Sequence, residues 1–499
     1  MGFRQYPLRA IALTVLGAFC FGLAWRSSLT SESSKREPLR GWYEAAPDRL
    51  SVKADVSDLE PGLIPKIVEN IPEQNFPAEE ELPFQLPDDV SDPHLRPQVA
   101  AEITDPSTST VSDDVKQTIS QSLTAFHWQK VFTDFYVYSV YPNALDSSDL
   151  HVVLFGPNRD NQFWSADVCS CVYYSTDLES SLNNITVKGR LEVLPESKPY
   201  EGHNIGAGRL KCPFPREAVQ QPLLDVRCQH GSKSGAATFR TPAVMSEPPP
   251  KLTFALCGLI HGFVNEQQAV VIEYIEYYRL MGVTKIFWQG IDVGDKTRKL
   301  LQYYEDEGVM EFREWKVPYN RTAGDSAHYY GQVAAQYDCI MRTAGLFDYT
   351  IIADLDEYYA TTRQPPTFAS ITNNGDSDCV LVQSVFMDPH GNYSGDTFDP
   401  ESGDPVLRTA LITLRSSLIH GQDERSKYLC RMRKVDIPQI HTVQRNRGQA
   451  ATVRPSPDET ILLHYRQTNE PGSVKERRAS VLSPQLQPRV AAVWKTVYA

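Results

Sequence analysis

The chain has 499 residues, of which 41% are apolar and 10% aromatic, and its formal net charge at pH 7 is −13. Residues 51–115 contain 15 Asp or Glu against three Lys or Arg, so this segment alone carries a charge of −12. The rest of the chain is almost neutral, so the low pI gives no information about its substrate; it is long enough for two folded domains, and no nucleic-acid partner is expected.

The N-terminal residues predict a membrane anchor followed by a stem. Residues 1–9 include Arg4 and Arg9, and an uncharged, mostly apolar run follows over residues 10–25. Because the basic residues come first, we expect a cytoplasmic tail and an uncleaved type II anchor; a cleaved signal peptide is the alternative. Residues 26–114 are rich in proline, serine and acidic residues and lack periodicity, which predicts a disordered stem.

The cysteines indicate an oxidising compartment. Besides Cys20 in the apolar run, the chain has eight, and an even number in a secretory setting predicts up to four disulfides, whose pairing the sequence leaves open. A single residue separates Cys169 from Cys171, which is too close for a zinc-binding pair. Three acceptor sequons for N-linked glycans fit the same compartment: Asn184, Asn320 and Asn392.

Residues 115–250 predict a small β-rich domain followed by a linker. Alternating or β-branched runs, such as 135–141 and 151–155, are separated by turn-forming residues at the spacing of a β-sandwich. Its aromatic side chains could line a carbohydrate-binding face or fill the core, and the pattern does not distinguish the two.

Residues 251–499 alternate predicted strands and helices. The predicted order is strand 253–260, helix 266–281, strand 285–289, helix 296–307, strand 309–315, helix 331–344 and strand 349–353. This alternation predicts an α/β domain with a mostly parallel sheet and helices on both faces. The glycine-rich phosphate loops of dinucleotide-binding and P-loop folds are absent from the sequence.

The last predicted strand ends at two aspartates one residue apart, Asp354 and Asp356, with Glu357 directly after. Residues two apart on an extended segment point to the same side, so both carboxylates could face one point at the carboxyl end of the strand, where α/β folds bind ligands. Paired carboxylates suit Mn²⁺ or Mg²⁺, which at such sites usually also contacts substrate phosphates. A solvated strand end with acidic residues in a turn is the alternative.

Several segments between residues 257 and 466 together resemble glycosyltransferase family 92. They occur in the family's order: Cys257 with Asn265-Glu266, IEYIEYY (272–278) with GVT (282–284), YGQVAAQYDC (330–339), ADLDEY (353–358) and LLHYR (462–466). The resemblance implies a GT-A-type nucleotide-sugar-binding domain and the inverting, metal-dependent transfer of galactose in β linkage from UDP-galactose to a glycan or polysaccharide acceptor. It also implies a Golgi membrane protein with a lumenal catalytic domain, preceded, as in plant members, by a carbohydrate-binding-like β-rich domain. The chain departs from the family pattern at residues 386–391.

The candidate site combines this resemblance with residue chemistry. The expected metal ligands are Asp354, Asp356 and, by resemblance, His464. The UDP-sugar is expected to contact Asp354 and four further residues: Asn265, Glu266, Gln332 and Arg466.

Inverting transfer also needs a carboxylate that deprotonates the acceptor hydroxyl. Asp388 is the first candidate because it follows a predicted strand over residues 380–385, and Glu424 is the runner-up.

Two other functions remain open at the level of sequence. A non-catalytic glycan-binding membrane protein would bind sugars without turnover. A phosphatase of the haloacid dehalogenase type also carries Asp-x-Asp after a strand, but it requires Thr or Val two residues after the second Asp, where this chain has Tyr358.

Overall fold

The computed structural model describes residues 127–498, with gaps at 144–147, 158–160, 166–167, 176–183, 196–204, 243–251, 262–264, 266, 320–326, 388–395, 449 and 467–472. All described residues belong to one compact unit that covers residues 105–499. The predicted tail, anchor and stem, together with two of the three sequons, lie outside the described residues, whereas Asn184 is exposed. None of the described helices is both long and apolar enough to cross a bilayer.

The first part of the described chain is a β-sandwich. It consists of β1 (Gln129–Phe132), β2 (Phe135–Pro142), β3 (Asp149–Pro157), α1 (Asn161–Ser165), β4 (Cys169–Tyr174), β5 (Ile185–Lys188), β6 (Arg190–Val193), β7 (Ile205–Pro213), a 3₁₀ turn (Arg216–Gln220), β8 (Leu223–His230) and β9 (Lys233–Arg240). The strands form two antiparallel sheets, in the orders β1-β2-β3-β7-β6 and β5-β4-β8-β9. Apolar residues that alternate along these strands form the core between the sheets.

Two disulfides lie within the sandwich, and both involve β4. Side chains two residues apart on a strand share a face, so Cys169 and Cys171 both point into the core. Cys169 bonds to Cys228 on the neighbouring β8, whereas Cys171 bonds to Cys212 on β7 of the other sheet. The second bond therefore ties the two sheets together.

The second part of the chain is mixed α/β. Its elements are β10 (Phe254–His261), α2 (Gln268–Leu280), β11 (Lys285–Ile291), α3 (Asp295–Asp306), β12 (Met310–Glu314), a 3₁₀ turn (His328–Gly331), α4 (Gln332–Thr343), β13 (Tyr349–Ile352), β14 (Glu357–Thr361), α5 (Phe368–Ile371), β15 (Cys379–Val382), β16 (Ser384–Met387), α6 (Arg408–Leu411), β17 (Leu414–Ile419), β18 (Lys427–Cys430), a 3₁₀ turn (Met432–Lys434), β19 (Val435–Pro438), β20 (Val443–Asn446), β21 (Thr452–Val453), β22 (Thr460–Tyr465), β23 (Val474–Lys475), a 3₁₀ turn (Ala479–Leu482) and α7 (Ser483–Tyr498).

The central sheet has the order β12-β11-β10-β13-β18-β15-β21. Strands β10 to β13 are parallel to one another, and β18 runs antiparallel to both of its neighbours. A second sheet, β14-β22-β16-β17-β23, continues from the end of β13 through the turn before β14. The expected α/β class with a mostly parallel sheet is confirmed for this part of the chain.

The two faces of the central sheet are covered differently. Helices α2, α3 and α7 cover one face. Helix α4 covers the other, and the sandwich packs on it through residues such as Tyr138, Val153 and Phe155. The expectation of helices on both faces therefore holds only in part, because a β-sheet completes the second layer.

The sandwich and α4 meet closely at Gly331, directly before the helix. Gly331 has φ +74°, a backbone conformation that residues with a side chain rarely adopt, and a Cβ there would lie 2.2 Å from Cζ of Phe155. Glycine is thus required both by the backbone and by the approach of the sandwich.

Buried polar groups also join the sandwich to the rest of the chain. Arg209 on β7 is fully buried and donates to Asp436 Oδ1 at 2.9 Å, to the Tyr337 hydroxyl at 3.3 Å and to Glu192. His151 Nδ1 lies 2.7 Å from the same Tyr337 hydroxyl. Because buried charges without partners are costly, these contacts make the sandwich an integral part of the fold.

Two further disulfides lie in the central sheet. Cys257 on β10 bonds to Cys339 on α4, and Cys379 on β15 bonds to Cys430 on β18. The prediction of up to four disulfides is confirmed, and all four lie in the described part of the chain.

Candidate active site

The two aspartates lie in a tight turn between β13 and β14. Strand β13 ends at Ile352, and the Glu357 amide donates to the Asp354 carbonyl oxygen at 3.0 Å, which closes the turn. Leu355 packs against the core, while the Asp354 and Asp356 side chains are 37% and 38% exposed. The expectation of an extended segment here is wrong, but the turn still leaves both carboxylates accessible at the carboxyl end of β13.

Tyrosine hydroxyls hold the backbone of this turn. Three of them donate to carbonyl oxygens on either side of it: Tyr274 to Ala353 at 3.3 Å, Tyr278 to Glu357 at 2.9 Å, and Tyr359 to Ile352 at 3.2 Å. All three tyrosines are fully buried. Tyr274 and Tyr278 lie on α2 and Tyr359 lies on β14. These two elements thus fix the position of the acidic turn through hydroxyl groups as well as through apolar packing.

A continuous series of charged groups connects the two aspartates. Lys427 on β18 donates to Asp354 Oδ2 at 2.7 Å and lies 3.5 Å from Glu357 Oε2. On the other side, His464 Nδ1 lies 3.7 Å from Glu357 Oε1, and its Nε2 lies 3.1 Å from Asp356 Oδ2. Lys427 and Glu357 are buried, so their mutual attraction is only weakly screened by water.

These contacts shift the protonation of the site. Burial raises the pKa of Glu357 to about 7, against the opposing influence of Lys427. Burial alone would also raise the pKa of Asp356 and lower that of His464, but their mutual contact reverses both shifts. Asp356 therefore favours its ionised form and His464 its protonated form while they bind only each other.

A narrow cleft, with a cavity volume of about 20 Å³, lies beside the turn, at the carboxyl ends of β10 and β13. Gln332, at the start of α4, donates to Asp354 Oδ1 at 3.2 Å, and both residues line the cleft, as the expectation that Gln332 faces the site requires. The remaining wall is largely apolar and includes the Cys257–Cys339 disulfide. An apolar slot with a few convergent polar groups is the usual form of a small-ligand site.

Two arginines and two histidines lie around the ring of Phe386, which pairs with His464 across β16 and β22. The guanidinium carbons of Arg425 and Arg466 lie 5.3 and 5.8 Å from the ring centre, and the His420 and His464 rings lie 4.5 and 5.4 Å from it. Neither arginine forms a salt bridge with any described residue. Two such guanidiniums beside Asp356 and His464 suit an anionic ligand such as a diphosphate.

The Asn265 side chain forms hydrogen bonds that connect two loops near the site. Its Oδ1 accepts from the Gly294 amide at 2.7 Å, and its Nδ2 donates to the Asp292 carbonyl oxygen at 3.2 Å. It therefore ties the loop after β10 to the loop after β11. It does not cap α2, because Gln267 stands at the N-cap and makes no side-chain capping bond.

The two candidate bases are not brought to the turn by described contacts. Glu424 lies on an exposed turn, where it accepts from the Gly421 amide at 3.2 Å. Asp388 is the first residue after β16 and, like Glu266, lies outside the described residues.

Sequence reasoning missed three residues of the site: Lys427, Arg425 and Gln289. Lys427 and Arg425 belong to the segment 425–430, which carries no motif, and nothing local indicates that Lys427 is buried. Gln289 lies in a predicted strand, and a glutamine inside an apolar strand was the one available signal.

The α/β part of the chain, which carries this site, matches a known protein family. Residues 253–490 match the family model of glycosyltransferase family 92. This part of the chain belongs to that family. Glycosyltransferase family 92 proteins transfer sugars, so residues 253–490 form a glycosyltransferase domain.

Individual relatives share only part of this chain. A beta-1,4-galactosyltransferase of Caenorhabditis elegans is 30% identical over 91 residues, which is 18% of this chain and 21% of that protein. Among solved structures, S. aureus TarS in complex with UDP covers 28% of this chain and 38% of its own, at 10% identity and a TM-score of 0.21. The bifunctional glycosyltransferase WbbM covers 31% and 28%, at 9% identity and a TM-score of 0.18. TM-scores this low do not establish a shared fold.

The expected metal ligands of the family 92 domain come together only in part. No group of three His, Cys, Asp or Glu side chains is arranged around one point among the described residues. Asp354 pairs with Lys427, whereas Asp356 Oδ2 and His464 Nε2 lie 3.1 Å apart. Two ligands about 2.1 Å from one octahedral cation lie about 3 Å from each other, so this pair fits a divalent metal and Asp354 fits less well.

Proposed function

We propose that this family 92 domain is a metal-dependent, inverting transferase that moves a hexose, galactose in β linkage, from a UDP-sugar to a glycan or polysaccharide acceptor. The proposal rests chiefly on the Asp356–His464 pair, which shares the acidic turn with Asp354, while Asp354 and Gln332 line the cleft. A GT-A-type arrangement is part of the proposal, because the cleft lies at the carboxyl ends of parallel strands.

The pair Asp356 and His464 would hold Mn²⁺ or Mg²⁺. Such an ion supplies Lewis-acid stabilisation of the charge that develops on a departing nucleoside diphosphate. Glu357 Oε1 lies 3.7 Å from His464 Nδ1, beyond hydrogen-bond distance, and a small shift would let it orient the ring, as carboxylates do for metal-binding histidines. Lys427 holds the neighbouring Asp354 carboxylate in place, so that it can bind the ribose or orient the metal through a water molecule.

The arginines beside Phe386 would contact the diphosphate. Arg466 was expected to bind the donor, and Arg425 lies on the same ring. Their fixed planar donors match phosphate oxygens, so both should strengthen donor binding and ease departure of the UDP group.

The acceptor hydroxyl must lose its proton on the side away from the leaving group. Asp388 remains the proposed base. It directly follows β16, whose Phe386 pairs with His464. Glu424 remains the second candidate.

The preference for galactose is supported by the name of the partly matching C. elegans relative. A donor screen tests it. The full-length protein would be incubated with Mn²⁺ and, in turn, UDP-galactose, UDP-glucose, UDP-xylose and UDP-arabinose, and UDP release would be measured. Release with UDP-galactose alone supports the proposal, whereas the absence of release with every donor and with added galactan would refute it.

We also propose that the protein is a Golgi membrane protein with residues 10–25 as its anchor. The four disulfides support a secretory location, because such bonds persist in oxidising compartments. In that arrangement, the sandwich and the catalytic domain face the lumen. A role of the sandwich in binding the glycan acceptor is part of the same proposal.

A further inference from the structure

The side-chain amide of Gln289 has a fixed orientation in the donor cleft. Gln289 lies on β11, lines the cleft, and donates from Nε2 to Asp338 Oδ2 at 2.7 Å. In this bond Asp338 Oδ2 is the acceptor and the amide NH₂ group is the donor. The NH₂ group must therefore point to Asp338, and no described residue donates to the carbonyl oxygen of Gln289, which remains for the cleft.

Asp338 is held in turn by the β-sandwich. It lies on α4 and is fully buried. Its Oδ1 accepts from the Ser139 hydroxyl at 2.6 Å and from the Tyr141 hydroxyl at 2.7 Å, and both donors belong to β2. A series of hydrogen bonds thus runs from the sandwich through Asp338 to Gln289 and ends at the cleft.

The cleft has one end suited to a nucleotide base and another suited to the rest of the donor. Asp354 and Gln332 line it next to the Asp356–His464 pair, where the diphosphate is expected. Gln289 shares its wall with Leu259 and Ile352 and with the Cys257–Cys339 disulfide. The cleft is narrow, so a planar heterocycle would have to widen it on binding. Two glutamines line it, and Gln336 also uses its NH₂ group elsewhere, donating to Tyr428 and Gln439, so both side chains offer an acceptor to a ring N–H.

We propose that Asp338 is a positioning residue through which the β-sandwich sets the base preference of the donor site. It holds Gln289 so that its carbonyl oxygen accepts the N3–H of uracil. Cytosine has an unprotonated N3 and would set a lone pair against that oxygen, which leaves a buried acceptor unsatisfied. This inference rests on the proposed use of a uridine nucleotide donor.

The variant Asp338→Asn tests the orientation directly. The new side chain could still accept from Ser139 and Tyr141 through its oxygen, but its NH₂ group would then face the NH₂ group of Gln289. The Gln289 amide would rotate by about 180° to relieve that clash. Its oxygen would then accept from the new amide, and its NH₂ group would face the cleft as a donor. We expect the preference for UDP over CDP, measured by calorimetry on the full-length protein with Mn²⁺, to fall by about 10- to 100-fold.

A second variant, Gln289→Met, keeps the packing volume and removes both amide groups. It should lose UDP affinity and discriminate poorly between UDP and CDP. Because a base contact acts equally in the ground state and the transition state, the KM for the UDP-sugar should rise while kcat stays nearly constant. If Asp338→Asn does not fold, Gln289→Met tests the base contact, and the variant of the two hydroxyl donors to Asp338 tests its positioning role.

The contribution of the sandwich needs its own comparison. The double variant Ser139→Ala/Tyr141→Phe removes both hydroxyl donors to Asp338 and should reduce the UDP-to-CDP preference several-fold. Tyr136→Phe removes a hydroxyl from the same strand without touching Asp338, and it should behave as wild type.

The outcomes separate this inference from the proposed function. A wild-type protein that neither binds UDP nor releases it from any UDP-sugar would overturn both. A wild type that binds UDP, with Asp338→Asn and Gln289→Met variants that keep its full preference over CDP, would overturn the inference alone. Equal behaviour of the double variant and Tyr136→Phe would refute the part assigned to the sandwich.

Discussion

Replacement of Lys427 by methionine should destabilise the protein strongly, although the lysine belongs to no sequence motif. Its ammonium group is 1% exposed and lies 2.7 Å from Asp354 and 3.5 Å from the buried Glu357. Removal of one partner from a buried ion pair costs roughly 3–5 kcal/mol. Asp354 is 37% exposed and can regain water, so we expect a loss of about 3 kcal/mol, at the lower end of that range.

The free energy of unfolding would be measured by urea denaturation of Lys427→Met. The matched control is Lys316→Met, which removes an 85% exposed lysine and should change the unfolding free energy by less than about 0.5 kcal/mol. The double variant Lys427→Met/Glu357→Gln also removes the stranded carboxylate and should recover at least about 1 kcal/mol. Equal effects of the Lys427 and Lys316 replacements would refute the buried ion-pair argument.

Four further predictions concern chemistry, acid stability and topology. Asp356→Ala should abolish sugar transfer and leave a folded protein, because this side chain is 38% exposed and lies in a turn, outside the apolar core; near wild-type turnover with excess Mn²⁺ would remove it from the mechanism. Asp388→Asn should keep UDP affinity and lower turnover by roughly 10²–10⁴-fold, and a normal rate would place the base elsewhere. Burial alone would raise the pKa of Asp436, but Arg209 holds it below the ordinary 3.8, so the stability that Asp436 contributes is full above pH 3.8 and is lost as the pH falls through the lower folded-state pKa. Asp436→Asn should therefore flatten the acid limb of the unfolding free energy, and an unchanged limb would contradict this. If residues 10–25 are an uncleaved anchor, the full-length protein should resist alkaline extraction from membranes; a mature N-terminus that lacks them would indicate a signal peptide.

Local signals predicted the elements of the α/β part from β10 to β13. Each of the seven predicted segments has a counterpart whose ends differ by no more than two residues, because apolar periodicity and glycine at helix ends are local features. Gly282 and Gly308, which end α2 and α3, have φ angles of +104° and +71°. These left-handed residues stop the helices where the sequence indicates.

The pairing of strands that lie far apart in the sequence could not be predicted from it. The single strand predicted over residues 380–385 is divided at Gln383 into β15 and β16. The first pairs with β18 in the central sheet, whereas the second pairs with β22 beside the acidic turn. The pattern of a continuous apolar run does not indicate which neighbouring strand each half will pair with.

The candidate site likewise contains residues that the sequence identified and partners that it did not. Asp354, Asp356 and His464 could be selected by residue type and resemblance. The partners that set their charge could not, since Lys427 stands 73 residues after Asp354 in the sequence. Asp338 gave no indication of its role because its bonds reach Gln289, 49 residues away, and Ser139, 199 residues away.

The buried tyrosines around the acidic turn have a consequence for sequence comparison. Tyrosine and phenylalanine fill nearly the same space and are commonly treated as interchangeable in cores. At Tyr274, Tyr278 and Tyr359 that exchange would remove a hydrogen bond to a backbone carbonyl oxygen at the acidic turn in each case. Retention of tyrosine, as opposed to any aromatic residue, at these three positions is therefore a diagnostic for an ordered acidic turn. It would help to separate active members of the family from chains that keep Asp-x-Asp by chance.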